Sequence, residues 1–244
     1  MHRTFHRKIR LVAGDGHASG DLADDAHHFR VRITHDGSHV TSVEGEAVRH
    51  PWTTCPEATG PLRAVAGMAL SRDCAAIGAH TQARANCTHL FDLAGFVVAH
   101  AASGRTERLY HCVVDGPPDE PARATLHRDG ELLFDLAVRQ EGGAPHLYGT
   151  APFEGVSIYG GFLQWAREHL DPDAAEAAIM MRRAIMIAGV RHFDLDQLTR
   201  APEAQVIRGQ CYTYREGVAE HATRVLGSRR NFGTTHETML DPDA

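Results

Sequence analysis

Alternating apolar and polar residues in the first fifty positions predict β-strands. The alternation is clear over residues 29–33, where apolar side chains are separated by arginines, as in a strand with one buried face. Asp36-Gly37 is a strong turn signal, and the alternation resumes over residues 40–48. We therefore predict an antiparallel meander, preceded by a weak edge strand over residues 5–12 and a turn-rich loop over residues 14–20.

Apolar residues at helical spacing replace this alternation after the meander. Cys55-Pro56 marks the start of a predicted helix near residues 56–68, because proline is favoured in a first helical turn. A second helix is predicted near residues 88–102, with Thr88 as its N-cap and its apolar side chains on one face. A cysteine therefore stands at the start of each predicted helix, since Cys87 directly precedes the second.

The second half of the chain is predicted to contain a hairpin and two further helices. Asp129-Gly130 lies between strand patterns over residues 123–128 and 131–138, and a tight turn there requires a positive φ at the glycine. Apolar periodicity predicts helices over residues 162–170 and 173–188.

These elements predict an α+β protein, with an antiparallel sheet and helices packed on one side of it. We expect one continuous domain over residues 1–244. The alternative is a subdivision near Gly104, with one half over residues 1–104 and a hairpin and helical half over residues 105–244.

Composition excludes several classes of function. The 244 residues carry a net charge of −6, without the basic field typical of nucleic-acid binding. No apolar run reaches the roughly twenty residues of a membrane span, and the first residues do not have the pattern of a secretory signal. Five cysteines form no disulfide framework in a chain of this length. We expect a cytoplasmic protein with free thiols that binds neither nucleic acid nor membrane.

Histidine is the residue type whose abundance points to chemistry. The chain has 18 histidines, and imidazole both binds metal ions and changes its charge between about pH 5 and 8. This count allows metal binding, although many of the histidines will simply lie on the surface.

Five short segments resemble a family of bacterial proteins that is known only as a domain of unknown function. The resemblance extends over nearly the whole chain and implies a bacterial protein without implying an activity. The segments are Asp24-Asp25-Ala26-His27-His28-Phe29, Pro51-Trp52-Thr53-Thr54-Cys55-Pro56, Cys87-Thr88-His89-Leu90-Phe91-Asp92-Leu93, Arg182-Arg183-Ala184-Ile185 and Gly227-Ser228.

Residues 22–102 also resemble, more distantly, the U-type iron–sulphur cluster assembly scaffolds. In those proteins three cysteines and a histidine gather at one end of a small sheet to hold zinc or a cluster. Cys55 and Cys87 match the middle and last scaffold cysteines. The first scaffold cysteine has no counterpart, and Asn86 stands in place of the histidine, with His89 following. The resemblance therefore implies a scaffold-like fold for the N-terminal half, but not cluster assembly.

A cysteine and histidine site is the resulting hypothesis. A helix N-terminus stabilises a thiolate and lowers the pKa of a cysteine there. We predict that Cys55 and Cys87 share a metal ion, zinc, with His28 or His27, only one of which can face the thiols because strand side chains alternate. For catalysis we predict Cys55, His28 and His89.

Each of these residues also has an ordinary structural explanation. Free cysteines are among the most buried residues, so Cys55 and Cys87 are equally well explained as core residues. In that explanation, the ring of His28 forms hydrogen bonds with the backbone, and His89 faces water from the first turn of its helix. Asp24 and Asp25 are expected in a solvated turn.

The hypothesis on function is a small-molecule enzyme of bacterial catabolism, of the lyase or hydrolase type. Zinc would polarise a carbonyl group or activate water, or Cys55 would act without metal as a nucleophile with a histidine base. The alternatives are a non-catalytic metal or iron–sulphur carrier and a ligand-binding module. The expected ligand is a small anionic molecule, because a helix N-terminus favours anions. A homo-oligomer is compatible with the sequence.

Overall fold

The computed structural model describes residues 4–116, 121–192, 194–204 and 210–241, and confirms the α+β class. Within these residues, nine strands form an antiparallel sheet in the order β4-β3-β2-β1-β5-β6-β7-β8-β9. No helix in these ranges is long and apolar enough to cross a membrane. The strands are β1 (Thr4–Gly14), β2 (His17–Asp24), β3 (His28–His35), β4 (Val40–Arg49), β5 (Glu107–Asp115), β6 (Ala122–Arg128), β7 (Glu131–Glu141), β8 (Ala144–Tyr148) and β9 (Val156–Ser157), and the α-helices are α1 (Thr88–Ser103), α2 (Phe162–His169) and α3 (Pro172–Ala188).

Two compact units are distinguished by their internal contacts, and each is built from segments that are distant in sequence. The larger unit comprises Ile9–Arg108 and Asp194–Arg230. The smaller unit comprises the described parts of Met1–Lys8, Leu109–Phe193 and Asn231–Ala244. One continuous domain remains a prediction.

The larger unit contains the predicted meander. Strands β3 and β4 pair antiparallel, and the side chain of Asp36 accepts hydrogen bonds from the backbone N–H groups of Ser38 and His39 in the turn between them. These bonds hold the pKa of Asp36 at about 2, since they favour the ionised form. Helix α1 packs against β2 and β3, as the apolar face of the sequence predicted.

Two predictions about the first strands were wrong. Residues 5–12 do form a strand, but β1 lies inside the sheet rather than at its edge. The predicted loop over residues 14–20 becomes β2 from His17 onward. Its glycine, Gly20, lies against α1, where an added Cβ would be only 2.7 Å from side-chain atoms of Leu93 and Val97. Gly20 looks like a loop residue in the sequence, but its position in β2 requires glycine because α1 packs so closely against it.

The predicted α-helix near residues 56–68 was also wrong, because Cys55–Val65 is a run of 3₁₀ turns. Pro61 lies inside the run and has no backbone N–H to donate, and Gly60 before it disfavours regular helix. The second helix is confirmed as α1, although Cys87 rather than Thr88 is its N-cap.

The smaller unit confirms the predicted hairpin and helices. Asp129 and Gly130 have φ values of 53° and 88°, and they join β6 to β7 in a two-residue turn. Asp171 caps α3 by accepting hydrogen bonds from the backbone N–H groups at its start. In the core of this unit, the buried Tyr110 hydroxyl donates to Glu176 at 2.6 Å.

Gly95→Ala should lower the free energy of unfolding by about 1–3 kcal/mol, the range for overpacking a core. Gly95 lies in α1, and a Cβ there would overlap the carbonyl oxygen of Cys74 and crowd Ile77. Urea unfolding measures the change. Gly78→Ala is the matched control, since open space surrounds its Cβ position, and it should change stability by less than about 0.5 kcal/mol. Equal stability in the two variants would contradict this account of the α1 contact.

Candidate metal centre

The tight turn between β2 and β3 places a carboxylate beside an imidazole. Asp24 Oδ1 accepts hydrogen bonds from the backbone N–H groups of Ala26 and His27, each at 2.9 Å. The same oxygen lies 2.9 Å from Nδ1 of the His27 ring. The expected solvated turn was wrong, because Asp24 and Asp25 are 0% and 1% exposed. The backbone N–H groups of the turn itself satisfy the Asp24 carboxylate, which permits this burial.

Helix α1 adds a second imidazole from its first turn. The rings of His27 and His89 are stacked, with their centroids 4.0 Å apart and their planes 28° apart. One ligand atom each of Asp24, His27 and His89 lies within 4.8 Å of the others. His89 is only 6% exposed, so the interpretation of it as a water-facing residue was wrong. Two histidines and one carboxylate are a common ligand set for zinc and for iron(II).

Arg49, the last residue of β4, donates hydrogen bonds to the backbone of this turn. Its guanidinium donates to the carbonyl oxygens of Asp24 (2.8 Å), Asp25 (3.0 Å) and His27 (3.2 Å) and, from the end of the larger unit, Ser228 (3.1 Å). Burial lowers the pKa of Arg49 to about 10, while Asp24 acts in the opposite direction. The side chain therefore stays protonated at pH 7 and fixes three carbonyl groups of the turn that carries the ligands.

His28 has a different environment from His27. Its fully buried ring places Nε2 at 2.7 Å from Asp21 Oδ1, and the Arg30 guanidinium donates to the other oxygen of Asp21 at 3.2 Å. His27, in the turn that precedes β3, is therefore the histidine that stacks on His89, and His28, the first residue of β3, is bonded to Asp21 instead. The catalytic and metal-binding roles of His28 stay predictions that the arrangement of its side chain does not favour.

Burial dominates the chemistry of the two cysteines. It raises the pKa of Cys55 to about 11 and raises the pKa of Cys87 as well, despite backbone N–H groups of α1 that act in the opposite direction. The predicted lowering of both pKa values was wrong, because the loss of hydration outweighs the hydrogen bonds that lower them. Cys55 Sγ lies 3.6 Å from the Thr213 hydroxyl, and Cys87 Sγ lies 3.7 Å from His89 Nδ1.

The two thiols therefore differ in their contacts with the cluster of Asp24, His27 and His89. Cys87 contacts one of the three clustered ligands, whereas the contact described for Cys55 is a hydroxyl group. Among the described residues, neither thiol belongs to a group of three candidate ligands. A metal ion shared by Cys55 and Cys87 stays a prediction.

Alkylation of the native, metal-free protein at pH 7.5 should leave Cys55 and Cys87 unmodified. A thiol with a pKa of about 11 holds roughly 300-fold less thiolate at this pH than an exposed cysteine with a pKa of about 8.5. Cys211 is the matched comparison, since it is partly exposed. Iodoacetamide labelling followed by peptide mass spectrometry measures each site, and the unfolded protein should label at all five cysteines. Labelling of Cys55 as fast as Cys211 would support it as a nucleophile.

Sequence reasoning therefore located part of this centre. It selected His27 and His89, but it could not choose between His27 and His28, and it assigned Asp24 to solvent. The signal for Asp24 was present in the Asp-Asp-Ala-His order, since an aspartate two residues before a free N–H commonly accepts its hydrogen bond in a turn. Its burial depends on α1 and β4, which lie far away in sequence.

Comparison with protein families places the centre in a recognised segment. Residues 14–103 match the family model described as "Protein of unknown function (DUF2889)". This range contains Asp24, His27 and His89 together with Cys55 and Cys87. Comparison with curated proteins gives no match. Over this range the match agrees with the resemblance to a domain of unknown function, and it adds no activity. The resemblance over the rest of the chain stays a prediction.

Proposed function

We propose that this protein is a metal-dependent small-molecule enzyme of the lyase or hydrolase type, with zinc held by Asp24, His27 and His89. The observation that supports the proposal is the clustering of these three ligand atoms within 4.8 Å of one another. They come from one tight turn and from the start of one helix, both of which are well anchored. The bacterial and catabolic setting belongs to the same proposal.

The ligand spacing suits a small divalent ion. Two ligands bound to tetrahedral zinc at about 2.0–2.1 Å lie about 3.3 Å apart. Asp24 Oδ1 and His27 Nδ1 are 2.9 Å apart, so a shift of a few tenths of an ångström would admit the ion between them. The ligand atom of His89 lies at most 4.8 Å from those of Asp24 and His27, so it would also have to move closer to them when the ion binds.

Three protein ligands leave a coordination position for water or a substrate. Zinc in such a site polarises a carbonyl group or activates a water molecule. One carboxylate and two neutral imidazoles leave a positive charge on the centre, which favours a small anionic ligand. Arg49 serves as a positioning residue here, because it bonds carbonyl groups of the turn and not the ligand atoms.

Metal analysis of protein purified without a histidine tag tests the proposal. His89→Ala and His27→Ala should each lose one equivalent of zinc relative to the unaltered protein. His80→Ala is the control, because it removes an exposed histidine of the same unit. Undiminished zinc in His89→Ala would overturn the proposed centre. Zinc lost from His28→Gln but not from His27→Ala would restore the ligand set that the sequence predicted.

A metal carrier is the second candidate, because Cys87 Sγ lies 3.7 Å from His89 Nδ1 and could supply a fourth ligand. The cobalt(II)-substituted protein separates the two functions. Added azide should alter its visible spectrum if a coordination position is open, as an enzyme requires. A thiolate-to-cobalt charge-transfer band that Cys87→Ser abolishes, with no response to azide, would instead indicate a closed carrier site.

A further inference from the structure

Three histidines that are far apart in sequence meet in the smaller unit. Phe5 and Arg7 of β1 are buried, and the alternation of the strand directs His6 to the opposite face. His111 lies on the half-exposed face of the neighbouring strand β5. His236 comes from the 3₁₀ turn His236–Thr238 and stacks on His6, which leaves His6 only 6% exposed.

The ring nitrogens converge at one point. His6 Nδ1 lies 3.0 Å from His111 Nε2, close to the spacing of about 3.3 Å between two ligands of one tetrahedral zinc ion. The His6 and His236 rings are parallel to within 2°, with their centroids 4.5 Å apart, and the His111 and His236 centroids are 5.1 Å apart. One nitrogen of each ring lies within 4.8 Å of the other two.

A second observation concerns the tautomer of His236. Its Nε2 lies 3.1 Å from Glu237 Oε1, so the carboxylate favours the proton on Nε2. The other ring nitrogen, Nδ1, is then a lone-pair acceptor. It is buried and has no hydrogen-bond partner among the described residues, an arrangement that costs free energy unless something binds there. A carboxylate on the outer nitrogen of an imidazole is also the usual device that orients a histidine ligand.

We propose that His6, His111 and His236 form a binding site for a divalent transition-metal ion, separate from the centre at Asp24, His27 and His89. Three imidazoles and an open position suit zinc, and copper(II) or nickel(II) also prefer imidazole nitrogen. This site lies outside the family match at residues 14–103. It requires none of the ligands of the first centre.

The charges around the three histidines point to an anion as the remaining ligand. Burial, followed by the other histidines of the cluster and nearby basic residues, lowers the pKa of His6 to about 4 and that of His111 to about 3. Both are neutral at pH 7. Lys8 and Arg191 add positive charge, and Glu237 and Asp241 offset part of it. Without a carboxylate among its ligands, the bound ion keeps its full charge and favours hydroxide or a small anion in the fourth position.

A competitive zinc titration against a chromogenic chelator tests the proposal in the full chain without a tag. His236→Ala should lower the affinity for one equivalent of zinc by at least about 100-fold. This is the upper end of the losses caused by altering the residues that hydrogen-bond to metal ligands. His236 is partly exposed and comes from a short turn, so this variant should remain folded. His127→Ala is the control, since His127 lies opposite His111 in the strand register but is not one of the three clustered ligands.

The two centres are distinguished by combining variants. In His89→Ala, the remaining zinc equivalent should survive gel filtration and be lost on adding His236→Ala. If the first centre does not bind zinc, the unaltered protein should still hold one equivalent that depends on His236 and not on His89. Imidazole nitrogen NMR supplies a second readout, in which zinc should shift the signals of His6, His111 and His236. Unchanged zinc binding in His236→Ala, or equal losses in His127→Ala, would overturn the assignment.

Discussion

Arg49→Leu should lower the free energy of unfolding by about 3–5 kcal/mol, the range for removing one partner of a buried charged interaction. The guanidinium donates to four carbonyl oxygens in the larger unit. Leucine would remove these donors in a site where the arginine is only 7% exposed. The Asp25 and His27 carbonyl oxygens would keep one backbone N–H donor each, from Arg230 and Asp24. Urea unfolding monitored by circular dichroism measures the change.

The control and the conservative variant make this prediction specific. Arg32→Leu removes an exposed arginine of β3 and should change stability by less than about 0.5 kcal/mol. Arg49→Lys keeps the charge but not the planar set of donors, so it should recover only part of the loss. A loss in Arg49→Leu no larger than in Arg32→Leu would show that water replaces the guanidinium at these carbonyls.

Asp24→Asn should weaken zinc binding at the first centre by roughly 100-fold and leave the fold intact. The amide oxygen of asparagine can still accept from the backbone N–H groups of Ala26 and His27, so the turn is preserved. The substitution removes the single negative charge among the three ligands, which is what attracts the cation. The same competitive titration gives the affinity, and circular dichroism checks the fold.

A matched control exists at the other turn of the same meander. Asp36 accepts hydrogen bonds from the backbone N–H groups of Ser38 and His39 in the same manner, but it has no part in either histidine cluster. Asp36→Asn should therefore leave zinc affinity unchanged. If Asp24→Asn binds zinc as tightly as Asp36→Asn does, Asp24 serves only the turn and is not a metal ligand.

The local sequence was sufficient for elements whose signals lie within a few residues. Asp129-Gly130 predicted its hairpin because only a few residue types adopt positive φ easily, and both of these residues do so. Apolar periodicity predicted α3, and Asp171 caps its first turn. The alternation over β3 likewise predicted a half-buried strand, and its burial follows that pattern.

The position of a strand within the sheet could not be predicted from the local sequence, because it depends on neighbouring strands that sequence periodicity does not identify. The pattern of residues 5–12 predicted a strand but could not show that β5, about a hundred residues later, would lie beside it. The glycine and polar residues of β2 look like a loop, and only the close approach of α1 explains Gly20.

The candidate centres show the same division. The sequence by itself determined that His89 lies at the start of a helix, since helix signals are local. It placed His27 on a strand, whereas His27 lies in the turn that precedes β3. Only the tertiary structure decided that Asp24 is buried beside them, and that burial raises rather than lowers the pKa values of Cys55 and Cys87. The physical reason is that desolvation depends on every element packed around a group, whereas a turn or a helix start depends only on its neighbours in the chain.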